Sequence, residues 1–209
     1  MRLYDSLGPN PQIVRTFAAE KGVALAAVPI DIMAGENRGP AFLAINPLGQ
    51  LPALELDDGT VVTEVTAICE LLEDLHPSPA LLGSSPVERA ETRMWVRRFD
   101  LALIEPFTLG FRAAVARDFF APRLPLLSEA AGRELLAHWA ERLRFFDALL
   151  AGRTFVCGER FSLADIPLGV FLRFAPAAGV PLPEGLDWFP GWLARLEARG
   201  TFSAQAASA

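Results

Sequence analysis

Residues 46 to 75, NPLGQLPALELDDGTVVTEVTAICELLEDL, constrain the fold of this 209-residue chain more than any other stretch. Asn46-Pro47-Leu48-Gly49 is a turn, because Pro and Gly punctuate local structure most strongly. Gln50 to Leu56 ends in an alternation of apolar and polar residues, which predicts a short strand. Asp57-Asp58-Gly59 is a hairpin signal, since Gly accepts the positive φ of a tight turn, and Val61-Val62-Thr63 returns as a second strand. Thr63 is placed to N-cap a helix from Glu64 to Leu75, whose apolar positions Val65, Ile68, Leu71, Leu72 and Leu75 recur at helical spacing.

Upstream, Arg2-Leu3-Tyr4 reads as a first strand, Ser6 to Pro11 as a loop and Gln12 to Glu20 as a helix stopped by Gly22. Ala24 to Ile30 supplies a second strand. Asp31 to Gly39 is a polar loop, and Pro40 to Ala44 a short helix. Pro, Ser and Gly then cluster from His76 to Pro86, as a linker should. Beyond it strand signals nearly vanish. Val87 to about Ala116 reads as a long helix interrupted at Glu105-Pro106, and Pro122 to Pro125 as a break. Ala130 to Leu150 is helical with Leu135, Leu136, Trp139, Leu143, Phe146 and Leu150 roughly on one stripe. Ser162-x-x-Asp165 has the form of a capping box, Pro190 to Gly200 is the last helix, and Ser203 to Ala209 is expected to fray. The expected domains are residues 1–76 and 87–209, joined by a linker over 77–86.

A net charge of −6 and a pI near 5.0 exclude a nucleic-acid partner, which demands a basic footprint. The sequence has no long uninterrupted apolar run for a membrane span and no signal peptide, so cytoplasmic location is expected. Cys69 and Cys157 lie far apart without a CxxC or clustered His, so no metal site is expected. Both read as small core residues.

Asn46-Pro47-Leu48-Gly49-Gln50-Leu51-Pro52, the hairpin and Glu64-Val65-Thr66-Ala67-Ile68 together resemble the glutathione-binding half of the glutathione S-transferase superfamily. The resemblance implies a thioredoxin-like N-terminal domain of order βαβαββα followed by an all-helical C-terminal domain, that is, α/β plus all-α. It further implies a cis bond before Pro52, so that the Leu51 main chain pairs with the cysteinyl residue of glutathione. Glu64 would take the γ-glutamyl ammonium, and the N–H groups of Val65 and Thr66 its carboxylate. Gln50 belongs to the same glutathione-binding turn. The family's usual Ser is Val65 here, a lost hydrogen bond of about 0.5–1.5 kcal/mol net.

Glutathione transfer requires a thiolate, and family members place a Tyr, Ser or Cys after the first strand to favour it. By register that position is Gly8. Three substitutes remain open: the Ser6 hydroxyl, Asn10 with the helix start behind it, and an ordered water held by the helical domain. Gly8-Pro9-Asn10-Pro11, Gly35-Glu36-Asn37-Arg38 and Leu54 to Thr60 are similar to an atypical fungal and bacterial class that lacks the usual hydroxyl or thiol. That class is thought to hold a water with Ser and His on a helix of the second domain. The present sequence has no His between Val87 and Arg117, leaving Thr108 and Arg112 as polar candidates. Asn37 replaces the class's His, and Arg38 becomes the candidate for the glycyl carboxylate. Phe107 and Phe111, with Phe119 and Phe120, would wall a second-substrate pocket, although aromatic residues at such spacing also serve as plain core.

The reading that emerges is a glutathione S-transferase with glutathione as co-substrate. It would be a homodimer acting in detoxification on a small hydrophobic electrophile. A non-catalytic transferase-fold binding or scaffold protein, and a glutathione-dependent isomerase or peroxidase, are the alternatives.

Overall fold

The computed structural model describes residues 1–202, so the expected fraying of Ser203–Ala209 lies outside the described residues. The chain forms two compact units. Among the described residues, one holds Met1–Ser84 together with residues 197–202, and the other Ser85–Leu196.

In the first unit, β1 (Arg2–Asp5), β2 (Ala26–Pro29), β3 (Ala53–Glu55) and β4 (Val61–Thr63) build a mixed sheet of order β2-β1-β3-β4. β1 pairs parallel with β2, and β3 antiparallel with both β1 and β4. With α1 (Pro9–Glu20), α2 (Pro40–Leu43) and α3 (Val65–Leu75) the order is βαβαββα, a thioredoxin-like domain as expected. Successive strand residues face opposite sides of a sheet. Tyr4 accordingly joins Ile30, Phe42 and Ala53 in a buried cluster on one side. On the other layer, Ile13, Val14 and Phe17 of α1 and Ile68, Cys69 and Leu72 of α3 are all buried, and α1 packs against α3.

The packed ends of these helices are locked by an ion pair out of water. Lys21 Nζ lies 2.6 Å from Glu73 Oε2, with side chains 0% and 2% exposed. Glu73 also accepts the N–H groups of Leu81 and Leu82 at 3.3 and 3.0 Å, and Lys21 donates to the Pro79 carbonyl. The C-terminal segment adds a second tie, in which Arg199 donates to both Glu20 carboxylate oxygens, at 2.9 and 2.6 Å.

Several element boundaries differ from expectation for identifiable reasons. α1 starts three residues before Gln12, because Pro at the first helical positions gives up only N–H groups that would lack a partner. Glu64, not Thr63, is the N-cap of α3, with φ 68° and ψ 124° and no side-chain capping bond.

The second unit is helical. α4 (Pro86–Phe99) opens on a capping box, in which Ser85 Oγ accepts the Glu88 N–H and Glu88 Oε2 accepts the Ser85 N–H, each at 3.2 Å. The break expected at Glu105-Pro106 is absorbed without interrupting the helix. Because Pro106 has no N–H to offer, the preceding turn widens to a π segment over Asp100–Ile104, closed by Glu105 N–H to the Asp100 carbonyl. α5 (Glu105–Gly110) follows, then a second π segment over Phe111–Val115, the short α6 (Arg117–Phe120) and the long α7 (Glu129–Leu150).

α8 (Asp165–Ala177) and α9 (Trp188–Glu197) complete the unit around two buried carboxylates. Asp165 reaches back to the Ser162 N–H at 2.9 Å, as a capping box requires. Its other oxygen accepts the Val156 N–H and the Trp192 indole N–H, both at 2.9 Å. The Ser162 hydroxyl donates to Asp165 and accepts the Ala164 N–H instead of bonding the helix at Asp165. Asp147, carried by α7, accepts the N–H groups of Asp187, Trp188 and Phe189 and thereby caps α9. That cap sets the start of α9 two residues before Pro190.

Lys21→Met leaves Glu73 as an unpaired buried charge, and removing one partner of such a pair costs about 3–5 kcal/mol. A correspondingly lower midpoint is expected in urea unfolding followed by circular dichroism. Asp165 carries a second prediction. Burial pushes its carboxyl from 3.8 up to about 6, with the hydrogen bonds from Val156, Trp192 and Ser162 acting the other way. The native state therefore binds the proton more tightly than the unfolded chain. This contribution to stability is fully present below pH 3.8 and is lost as pH rises through about 6. In urea titrations read by tryptophan fluorescence, the wild type's advantage over Asp165→Asn should shrink between those pH values. An advantage that grows with pH would contradict it.

Candidate functional site

The strand register assembles the candidate residues of the first unit at one end of the sheet. Tyr4 pairs with Val28 and with Ala53, and Ala53 with Thr63. The end of β1, the end of β2, the start of β3 and the end of β4 are therefore side by side. From that edge emerge Ser6 to Asn10, the loop reaching Arg38, the entry through Gln50-Leu51-Pro52, and Glu64-Val65 at the start of α3.

Leu51–Pro52 is a cis peptide, and Pro52 is buried next to the exposed Gln50. The turn before it is held by side-chain amides that reading the sequence did not assign. Asn46 is 2% exposed; its Oδ1 accepts the Leu48 N–H at 3.1 Å and its Nδ2 donates to the Gln50 carbonyl at 2.8 Å. Gly49 N–H closes the turn on the Asn46 carbonyl at 2.8 Å. Asn37 donates Nδ2 to the Gly49 carbonyl at 2.8 Å, and Arg38 donates Nη1 to the Leu48 carbonyl at 3.2 Å. The signal for Asn46 was present in the Asn-Pro-x-Gly order, because Asn at the first position of a turn bonds its own main chain. Nothing local pointed to Asn37, whose partner lies twelve residues on.

Glu64 is the non-glycine residue with positive φ among the described residues. It is exposed, its carbonyl accepts the Ile68 N–H at 2.9 Å, and its carboxylate makes no capping bond to α3. A bulky residue at positive φ costs on the order of 1–3 kcal/mol, and such residues concentrate at ligand sites. The N–H groups of Val65 and Thr66 lie in the first turn of α3, where helical partners are lacking.

At the start of α1, Gly8 is the N-cap at φ 117°, and Pro9 and Pro11 have no N–H. Asn10 is thus the residue that supplies a main-chain donor among the first three of the helix. The Ser6 hydroxyl donates to the Leu7 carbonyl at 3.2 Å. The chain's one tyrosine, Tyr4, does not serve this end of the sheet, because its hydroxyl donates to Glu55 at 2.6 Å. That bond raises the phenol's pKa and, with Arg2, lowers that of Glu55.

In the helical unit, Phe107 is 1% exposed and its ring packs on Trp139, Phe171 and Phe174. It is a core residue, since a ring enclosed by others has no face left for a ligand. Phe111, half-buried, stacks on Phe107 at 5.8 Å and meets Phe120 and Phe174 edge to face. The Arg112 guanidinium lies over the Phe120 ring at 5.2 Å, and Thr108 is half-buried on α5. Cys69 and Cys157 are buried, and burial pushes both thiols up, away from reactivity.

Gly49→Ala should lower stability by about 2 kcal/mol or more, combining the left-handed φ with a steric conflict. Gly49 has φ +62°, and an added Cβ would lie 2.9 Å from the Asn37 carbonyl and 3.0 Å from Arg38 Nη1. A reduced urea midpoint is the check.

Known proteins resemble this chain in both sequence and fold. The sequence model for the N-terminal domain of glutathione S-transferase matches residues 8–75, and that for the C-terminal domain residues 124–199. The chain is 34% identical to glutathione S-transferase 2 of Saccharomyces cerevisiae, over 95% of this chain and 86% of the relative. It is 32% identical to glutathione S-transferase GstA of Escherichia coli O157:H7, over 95% and 94% of the two chains. Among solved structures, Gtt2 from Saccharomyces cerevisiae superposes with a TM-score of 0.90 at 32% identity, covering 98% of this chain and 100% of that one. Two family models that together match most of the chain, and relatives aligned along nearly its whole length, place the chain in the glutathione S-transferase family.

Proposed function

We propose that the chain is a glutathione S-transferase that binds glutathione at the strand-end site of its thioredoxin-like unit and transfers the thiolate to a small hydrophobic electrophile. The observation that carries this reading is Glu64, an exposed acidic residue held at positive φ where β4 gives way to α3. Its carboxylate takes the γ-glutamyl ammonium, and the Val65 and Thr66 N–H groups take the carboxylate of the same residue. Leu51, before cis-Pro52, pairs its main chain with the cysteinyl residue, Gln50 belongs to the same binding turn, and Arg38 takes the glycyl carboxylate.

Asn10 and the positive end of the α1 dipole lie at the start of α1 and are the groups proposed to favour the thiolate. Favouring the thiolate leaves the sulfur free to attack, with its proton passing to solvent. Phe111, with Thr108 and Arg112 beside it, is the helical unit's candidate for contact with the electrophile. The enzyme acts as a cytoplasmic homodimer in detoxification, a reading supported by what is usual for the family it belongs to.

Two substitutions at Glu64 test the site. Glu64→Ala removes a charge-assisted bond of about 1.5–3 kcal/mol, so calorimetric glutathione affinity should fall about 10- to 100-fold. Glu64→Gly should weaken binding equally while raising stability by about 1 kcal/mol, because glycine relieves the positive φ. Wild-type protein that gives no binding heat with glutathione would reject the reading.

A further inference from the structure

The loop that delivers the thiol-activating turn is short of the usual means of fixing a helix start. Gly8 has no side chain with which to cap α1, no side-chain capping bond is made, and the first turn holds no acidic residue. Two prolines remove main-chain donors from the same turn. Yet a group that stabilises a thiolate works only if it is held in place, since small misplacements at a reacting centre lose large factors in rate.

We infer that Asp5 and Arg15 form a clamp on the Ser6 main chain and are positioning residues for thiol activation. Asp5 Oδ1 accepts the Ser6 N–H at 2.8 Å. The same oxygen accepts from Arg15 Nη1, which also approaches the Ser6 carbonyl at 3.5 Å. The main chain of Ser6 is thus gripped on both sides, at its N–H (the Asp5–Ser6 peptide) by the carboxylate and at its C=O (the Ser6–Leu7 peptide) by the guanidinium, and the two grips are joined by an ion pair. The side chains are 15% and 17% exposed, so water competes weakly for either. Asp5 ends β1, and Arg15 sits two turns into α1. The clamp therefore references the connecting loop to the sheet and to the helix at once, and Gly8 and Asn10 inherit their positions from it. Arg15 Nε is buried and makes no hydrogen bond, so the guanidinium is used through one edge only.

This inference rests on the proposed glutathione site, and the experiment separates the two. Wild type, Asp5→Asn, Asp5→Ala and Arg15→Lys are each titrated with glutathione by calorimetry, then assayed with glutathione and an activated aryl halide across pH. Asp5→Ala should keep glutathione affinity within about threefold while kcat falls about tenfold or more. The acid-limb midpoint of kcat/KM should rise by about one pH unit, because the bound thiol loses its well-placed donor. Asp5→Asn retains an acceptor for both bonds but loses the ion pair, and should lie between wild type and Asp5→Ala in both readouts. Unchanged kcat and midpoint in Asp5→Ala, or an Asp5→Asn as impaired as Asp5→Ala, would overturn the clamp. Should Asp5→Ala not fold, Arg15→Lys decides: its shorter reach should move the midpoint in the same direction, and an unmoved midpoint rejects the inference. A wild type that binds and turns over beside unaffected variants defeats only the clamp. One that does not bind glutathione defeats the site and the clamp together.

Discussion

Glu73 is the point on which the first unit depends. A carboxylate withdrawn from water costs several kcal/mol unless its oxygens are met by donors. Here the donors come from three places in the chain: Lys21 at the end of α1, and the N–H groups of Leu81 and Leu82 after α3. The interaction therefore fixes the C-terminal ends of α1 and α3 together with the chain that follows. Helices are stiff, so anchoring one end delivers the other. The opposite ends of these two helices carry Gly8 to Asn10 and Glu64 to Thr66, the residues proposed to meet glutathione.

The site itself is built chiefly from main chain. Asn46 and Asn37 use side-chain amides to hold the turn that leads into cis-Pro52, and Glu64 is held at a φ that an unconstrained chain would avoid. A tripeptide is recognised well by such a surface, because its own peptide groups need donors and acceptors at strand spacing. Local strain of this kind persists only where the surroundings over-determine it. The sheet register and the packed helix α3 supply that surrounding.

The helical unit solves a different problem with the same chemistry. Its loops would leave main-chain N–H groups without partners, and two buried carboxylates gather them. Asp165 takes those of Ser162 and Val156 along with the Trp192 indole, and Asp147 takes three in a row at the start of α9. The proline at 106, which would break an isolated helix, is accommodated by a π turn because the packed aromatic residues around Phe107 keep the two halves in line.

Much of this was legible from residue order. The turn at Asn46, the hairpin at Asp57 to Gly59 and the helical stripe from Ile68 to Leu72 depend on neighbours within a few positions, and short-range sterics and periodicity determine them. The same holds for the Ser162-x-x-Asp165 cap. The tertiary structure decided what depends on partners far along the chain. It buried Phe107 as core while leaving Phe111 half-buried, drew Asn37 to Gly49, paired Lys21 with Glu73 and bent Glu64 into a positive φ that no local preference favours. It also took the hydroxyl of Tyr4 to Glu55 across the sheet. Sequence spacing settles which groups a turn or helix presents; only the packed fold settles which of them find each other, because burial makes an unmet polar group or charge too costly to leave alone.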